Sequence, residues 1–496
     1  MAATQTPCSE LTAKKIVGLL QAGQASAEEV AKSFLERTRQ THQQLNSHLH
    51  FDENAAIAEA RAADRLIREK GVSELPLAGV PVLIKDNICV RGSKTTCGSR
   101  MLGNYVAPYD ATVISRLRAA GAFVLGKTNM DEFAMGSSSE NSAFGPVRNP
   151  WHLDHVPGGS SGGSGAAVAA GLAPVALGSD TGGSIRQPAS FCGITGLKPT
   201  YGSVSRFGLV AFGSSLDQIG PMTTTVEDAA MVYDVLAGLD PRDSTSVNHP
   251  QSGFAAALST ASLKGRTIGV PDELLDKGVD PEVARCLERA IGEVQAAGAT
   301  VKKVRLPNIA SSVAAYYVIA TAEASANLAR FDGVRYGYRA EGAGRKTLKE
   351  LYRTSRSQGF GREVKQRIML GTFVLSSGYY DAFYAKANKA RELITRDFSA
   401  VFDSGCDLIL TPTSPTPPFK LGEKLSDPVA MYLSDVCTIG VNLAGLPAIS
   451  VPCGLTTSGL PVGMQLIARK FNEKSLLTGA YAYERATDWH KARPCL

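Results

Sequence analysis

The stretch PGGSSGGSG, Pro157 to Gly165, constrains this chain more than any other. It holds five glycines and three serines and almost no side chain. Glycine loses more conformational freedom on ordering than any other residue, so a fixed run of it needs a reason. A flexible linker would suit the composition. The run, however, passes without a break into GAAVAAG, which reads as a helix, and linkers do not normally feed straight into a core helix. Two readings remain: a phosphate cradle, or a place where backbone must approach reacting atoms.

Strand and helix patterns alternate along the chain. A helix is expected after Ser9, ending at Gly23, and Ser26 with Glu29 forms a capping box for a second. An alanine-rich third helix runs from about Asp52 to Lys70 and stops at Gly71. GVPVLIKD then reads as a buried strand ending at Lys85. VISRLRAA is helical and AFVL a strand; GSGAAVAAG starts a helix and PVALGSD is a strand. GRTIGV, CDLILT, AISVPCG and PVGMQLIAR are further strands, and Asp280 caps a helix with Pro281 at its first position. Such alternation argues for one α/β layered fold with helices on both faces of a sheet. The segment from about Ile309 to Arg396 lacks strand signals and reads as a helical insertion.

With 44% apolar and 20% charged residues a sizeable core can form and disorder is disfavoured. A net charge of +6 over 496 residues neither demands nor excludes a nucleic-acid partner. Nine cysteines are scattered with no C-x-x-C, the closest pair being Cys89 and Cys97. That fits neither a zinc site nor a disulfide framework and suits a reducing compartment. The N-terminus lacks the apolar core of a signal peptide, and the first arginine is Arg37, against a transit peptide. GAAVAAGLAPVALG is too short to span a bilayer and contains Pro174. The expectation is a soluble cytoplasmic protein.

Three chemistries compete for the motifs. GAFVLGKT, Gly121 to Thr128, matches the phosphate-loop pattern letter for letter, but a helix precedes the first glycine and the middle residues are strand formers. GGSSG centres Ser160 in a G-x-S-x-G, with His152, Asp154 and His155 close by; yet the residues before it read as a loop, and a nucleophile elbow needs a strand there. His152 and His155 read as loop histidines, and no metal site is expected. The third chemistry pairs serine with lysine. A serine hydroxyl needs a base, and a lysine amine serves if burial keeps it neutral. Lys85 ends an apolar strand and is a candidate; the alternative is an exposed lysine paired with Asp86. In GSDTGGSIRQPAS, the N–H groups around Thr181, Gly182 and Gly183 could converge on one oxygen, or the stretch could be an ordinary glycine turn.

Taken together, GVPVLIKDNI, PGGSSGGSGAAVAAG and GSDTGGSIRQPASFCGITGLKPTYG resemble the amidase signature family. The resemblance implies a three-layer α/β/α fold with a mixed central sheet and a helical insertion at 309–396. It implies a single domain over residues 1–496, with N-terminal helices in 1–70. It also implies a Ser–Ser–Lys triad: Ser184 as nucleophile, Ser160 as bridging serine, Lys85 as base. Thr181, Gly182 and Gly183 would form the oxyanion hole, and the Gly159–Ser160 peptide would be cis.

NMDEFAMGSSSENSAFGPVRNPW, FDGVRYGYRA, GFGREVKQRIMLGTFVLSSGYYDAFY and NLAGLPAISVPCG resemble, within that family, the glutaminase subunits of tRNA-dependent amidotransferases. That implies glutamine as substrate, with Arg367 on its α-carboxylate, Asp435 on its α-ammonium and Tyr316 lining the pocket. It implies a heterotrimer with B and C subunits, and misacylated Glu-tRNA(Gln) handled mainly by the B subunit. No cofactor would sit on this chain; ATP and magnesium would belong to the partner. Rival expectations are a stand-alone amidase for another small or aryl amide, a non-catalytic scaffold, and a cysteine amidase using Cys192, which otherwise reads as a buried core thiol.

Overall fold

The first helices form where their end signals fall. In the computed structural model, which describes residues 10–275, 278–342 and 347–496, helices span Ala13–Gln21, Ala27–Leu45 and Glu53–Lys70. Ser26 and Glu29 make the expected capping box, and Asp52 accepts from the Ala55 N–H at 3.0 Å. Each such cap satisfies an orphan N–H and stabilises its helix by about 1 kcal/mol. The first helix starts later than its sequence suggests, with Thr12 accepting from the Lys15 N–H; Ser9 lies outside the described residues.

Eleven strands form one mixed sheet. They are β1 (His48–His50), β2 (Pro81–Lys85), β3 (Phe123–Thr128), β4 (Val175–Asp180), β5 (Thr195–Lys198), β6 (Gln218–Thr223), β7 (Thr267–Pro271), β8 (Thr300–Val304), β9 (Leu408–Pro412), β10 (Ala448–Leu455) and β11 (Pro461–Ile467). Their order is β1-β3-β2-β4-β6-β5-β10-β11-β9-β7-β8. β2 runs parallel to both β3 and β4, and β7 runs parallel to both β8 and β9; the centre, from β4 through β6, β5, β10 and β11 to β9, is antiparallel.

Side chains alternate across the sheet and give it a core on each face. In β9, Leu408 and Leu410 join one cluster, with Phe34, Val294 and Leu476 from flanking helices. Ile409 joins the other, with Ile319, Val364 and Phe398. Those last three belong to helices Ser312–Asn327, Arg362–Val374 and Lys386–Asp403, which lie between β8 and β9 together with helix Leu348–Gly359. The α/β class and layering therefore follow the expectation, and the helical run extends to Asp403.

β1, β5, β6 and β8 are strands that the sequence pattern does not announce. β6 contains Gly220 and Pro221, residues that normally argue against a strand. Pro221 is tolerated because β5 pairs only with Met222 and Thr223 of β6. Gly220 is needed because a Cβ there would meet the Leu197 carbonyl oxygen at 2.0 Å. Among the described residues no helix is long and apolar enough to cross a membrane.

Candidate active site

Lys85 is the last residue of β2, whose five positions are all buried. The parallel neighbours β3 and β4 end beside it at Thr128 and Asp180. Crevices outside the carboxyl ends of parallel strands are where α/β proteins place reacting groups. Lys85 is wholly shielded from solvent. Its Nζ lies 2.8 Å from Ser160 Oγ and 3.2 Å from the Ser179 carbonyl oxygen. Burial pushes its amine down to about 7, although Asp131, Asp180 and Asp217 pull the other way. The exposed-lysine alternative falls, because Asp86 is itself buried and pairs with Lys127 at 3.1 Å.

The glycine run puts Ser160 against that amine. Gly159 donates its N–H to Gln187 Oε1 at 2.8 Å, and a Cβ on Gly159 would lie 2.2 Å from Asp131 Oδ2. Cβ atoms on Gly162 and Gly163 would strike Ser139 Oγ and the Asn129 carbonyl oxygen at 2.2 and 2.3 Å. Side chains are thus excluded on three sides, and helix Gly162–Ala169 starts at once. The Gly159–Ser160 peptide is cis. Ser161 ties this segment to the next: its N–H donates to the Ser184 carbonyl at 3.2 Å, and its Oγ donates to the Ser179 carbonyl.

Ser184 follows the turn after β4. Asp180 braces that turn, accepting from the N–H groups of Gly183 and Ile185 and from Arg186 Nε and Nη2. Arg186 is fully buried and also reaches Gln465 and Asn442. Burial pushes the Asp180 carboxyl up, but the Arg186 guanidinium outweighs it and holds the group well below the carboxylate range. Thr181 Oγ1 donates to Asp217, and Thr438 Oγ1 donates to the Gly182 carbonyl at 2.6 Å. One expectation needs correcting. The Gly183 N–H is already committed to Asp180 at 2.8 Å, so it is not a free oxyanion donor. Among the described residues, the N–H groups of Thr181, Gly182 and Ser184 donate to nothing else. Ser184 is 7% exposed while Ser160 and Lys85 are at 0%. The structure therefore joins Lys85 to Ser160 directly but Ser160 to Ser184 only through backbone; no hydroxyl–hydroxyl hydrogen bond links them among the described residues.

A second cluster lies beyond the turn. Tyr316, on helix Ser312–Asn327, sets its hydroxyl over Gly182, where a Cβ would meet it at 2.6 Å. Arg367, on helix Arg362–Val374, is buried; its Nε donates to Glu363 Oε1 at 2.7 Å. Its guanidinium carbon lies 5.1 and 5.6 Å from the ring centres of Tyr317 and Tyr432, which stack on each other. Neither Arg367 Nη bonds any group among the described residues, leaving a free fork beside a cleft of about 270 Å³. Asp435 accepts from Ser137 Oγ through Oδ2, while Oδ1 has no partner among the described residues. Burial pushes its carboxyl up to about 7, against Ser137 and Arg367. Gln187 joins the two clusters, accepting from the Gly159 N–H and donating to the Ser137 carbonyl at 2.9 Å.

A family model described as Amidase matches residues 29–477. The chain belongs to the amidase family. Among its amidase-family relatives is the A subunit of the glutamyl-tRNA(Gln) amidotransferase of Moorella thermoacetica, 56% identical over 484 residues, 98% of each chain. The crystal structure of the protein of that name from Thermotoga maritima is 42% identical, with a TM-score of 0.80, and the match covers 97% of this chain and 96% of that one. A bacterial aryl acylamidase of the amidase signature family is 28% identical with a TM-score of 0.83, over 98% of each.

In this amidase-family chain the rival motif readings fall on geometry. Gly126, Lys127 and Thr128 of the phosphate-loop match lie inside β3, and Lys127 is buried on Asp86. Ser160 pairs with lysine rather than histidine, while His249 bonds Glu473. The buried Cys192 Sγ contacts the Pro157 carbonyl, and burial pushes its thiol up, away from a thiolate. Sequence reasoning missed Asp180 with Arg186, Asp131, Ser137 and Glu363. Asp180 stands inside the GSDTGGS motif, but its partner Asn442 is 262 positions away and nothing local points to it.

Proposed function

We propose that this chain hydrolyses the side-chain amide of glutamine to glutamate and supplies the ammonia to a partner that converts Glu-tRNA(Gln) to Gln-tRNA(Gln). The name shared by its amidotransferase relatives supports the reaction. The observation that carries the substrate is a free guanidinium fork on Arg367 and a free carboxylate oxygen on Asp435, the latter at the start of the helix whose Thr438 bonds the Gly182 carbonyl of the turn before Ser184. A free amino acid presents one carboxylate and one ammonium, and this pair complements both.

In this reading the neutral Lys85 amine donates to the Ser179 carbonyl and accepts the Ser160 proton on its lone pair. Ser160 in turn takes the proton of Ser184. Rotation of the more open Ser184 hydroxyl closes the last link when substrate binds, as catalytic hydrogen bonds often tighten only in the complex. Ser184 Oγ attacks the amide carbonyl, and the N–H groups of Thr181, Gly182 and Ser184 receive the oxyanion. Ser160 returns a proton to departing ammonia, and water repeats the sequence on the acyl-enzyme. B and C subunits complete a heterotrimer in the cytoplasm; ATP, magnesium and tRNA belong to the partner side.

Ammonia release from glutamine, by the chain alone and with its partner subunits, tests the reading. Glutamine should be cleaved in preference to glutaramate, which lacks the α-amine, and to neutral aryl amides. Faster turnover of an aryl amide would hand the function to the stand-alone amidase alternative.

A further inference from the structure

The loop immediately before the glycine run gathers three donor side chains at one point. His152 Nδ1 and His155 Nδ1 each lie 2.5 Å from the same Asp154 carboxylate oxygen, and the donor atoms of all three residues fall within 4.8 Å of one another. The two imidazole rings sit edge to face with centroids 4.8 Å apart. In sequence these residues read as loop histidines; folding brings them together.

The loop that holds them is braced by its backbone. The His155 N–H donates to the His152 carbonyl at 2.9 Å, and the Asn149 N–H to the His155 carbonyl at 3.0 Å. Asn149 Nδ2 donates to the carbonyls of Val156 and Phe191, and the Leu421 N–H donates to the Asp154 carbonyl. The side chains of His152 and Asp154 are 55% and 54% exposed, and that of His155 is 13% exposed.

We infer that His152, Asp154 and His155 form a surface site for a divalent late first-row transition ion of the zinc class. Two imidazoles and one carboxylate are the donor types such ions take, and an exposed fourth position is left for water. With its proton on Nε2, each imidazole presents the Nδ1 lone pair to the ion, so no co-reactant is required. A tetrahedral ion wants its donors about 3.3 Å apart, so the carboxylate backs away while the exposed ring swings in. Magnesium, which prefers oxygen and keeps its waters, is a poor fit. The site is separate from the proton relay, although His155 stands only five residues before Ser160 in sequence.

Calorimetric titration of the full chain with Zn²⁺ under reducing conditions tests the site, with thermal unfolding as a second readout and the exposed Cys495 changed to serine in every sample. One Zn²⁺ should bind and raise the melting temperature. His152→Ala and His155→Ala should each weaken it by at least about tenfold, since losing a direct ligand costs no less than losing a residue that orients one. The double variant should lose both the heat and the melting shift while keeping its far-UV circular dichroism. Absence of Zn²⁺ binding, binding unchanged in the double variant, or equal affinity for Mg²⁺ would each overturn the proposal.

Discussion

Lys85, Ser160 and Ser184 fall within residues 85 to 184 and are placed mainly by backbone: a strand end, a glycine run and a braced turn. Arg367, within helix Arg362–Val374, and Asp435, in the turn just before helix Val436–Leu443, lie far downstream and are placed mainly by side chains: Glu363, a stacked tyrosine pair and Ser137. The first region excludes side chains to the point where a Cβ at Gly159 would overlap Asp131. The second keeps open donors and acceptors and a cleft. On the proposed reading the difference separates tasks: the backbone-built region carries the amide chemistry, and the side-chain-built one selects which amide arrives.

The sharpest way to break this comparison is at the nucleophile. Ser184→Ala should cut glutamine turnover by about a million-fold while leaving glutamine affinity nearly unchanged, because members of a nucleophile–base unit act together. Residual turnover near the parent level, read as ammonia release, would refute the assignment. Arg367→Ala should do the reverse. Losing a charged hydrogen-bond fork costs about 2–3 kcal/mol, so KM should rise roughly a hundredfold with kcat largely kept. A collapse of kcat instead would mean the two regions are not separable.

pH profiles sharpen the same contrast. The Lys85 amine, depressed to about 7 by burial, is neutral above that pH and takes a proton below it. On the acid side kcat should therefore fall about tenfold per pH unit. Asp435, raised to about 7 by burial, is charged above that pH and neutral below it, so KM should climb in the same window. In Asp435→Asn the KM limb should vanish and the kcat limb persist. The smallest effect is expected at Glu363→Gln, which removes a charge steadying Arg367: KM should rise about fivefold, the equivalent of about 1 kcal/mol. Gln187 is the instructive exception, since it bonds both regions. Gln187→Leu should lower kcat and raise KM together.

The relay region was legible only in part from local signals. PVLIK left Lys85 open between a buried amine and an exposed lysine paired with Asp86, PGGSSGGSG running into a helix pointed to close backbone approach, and the roles of Ser160 and Ser184 came through resemblance. The pocket residues too came through resemblance: Arg367 and Asp435 look in isolation like a helix-face charge and a cap. What stayed hidden was whatever depends on distant partners. The commitment of the Gly183 N–H follows from Asp180, whose brace runs through Arg186 to Asn442 and Gln465. β6 hid because Gly220 and Pro221 carry a meaning there that only the neighbouring β5 supplies.

The gradient of shielding from Lys85 outward has a practical side. An amine-seeking reagent cannot reach Lys85 in the folded chain, whereas the Ser184 hydroxyl is the most open of the three groups. On the proposed reading, a small serine-directed electrophile should therefore mark Ser184 rather than Ser160, and the extent of that labelling would count competent molecules in a preparation.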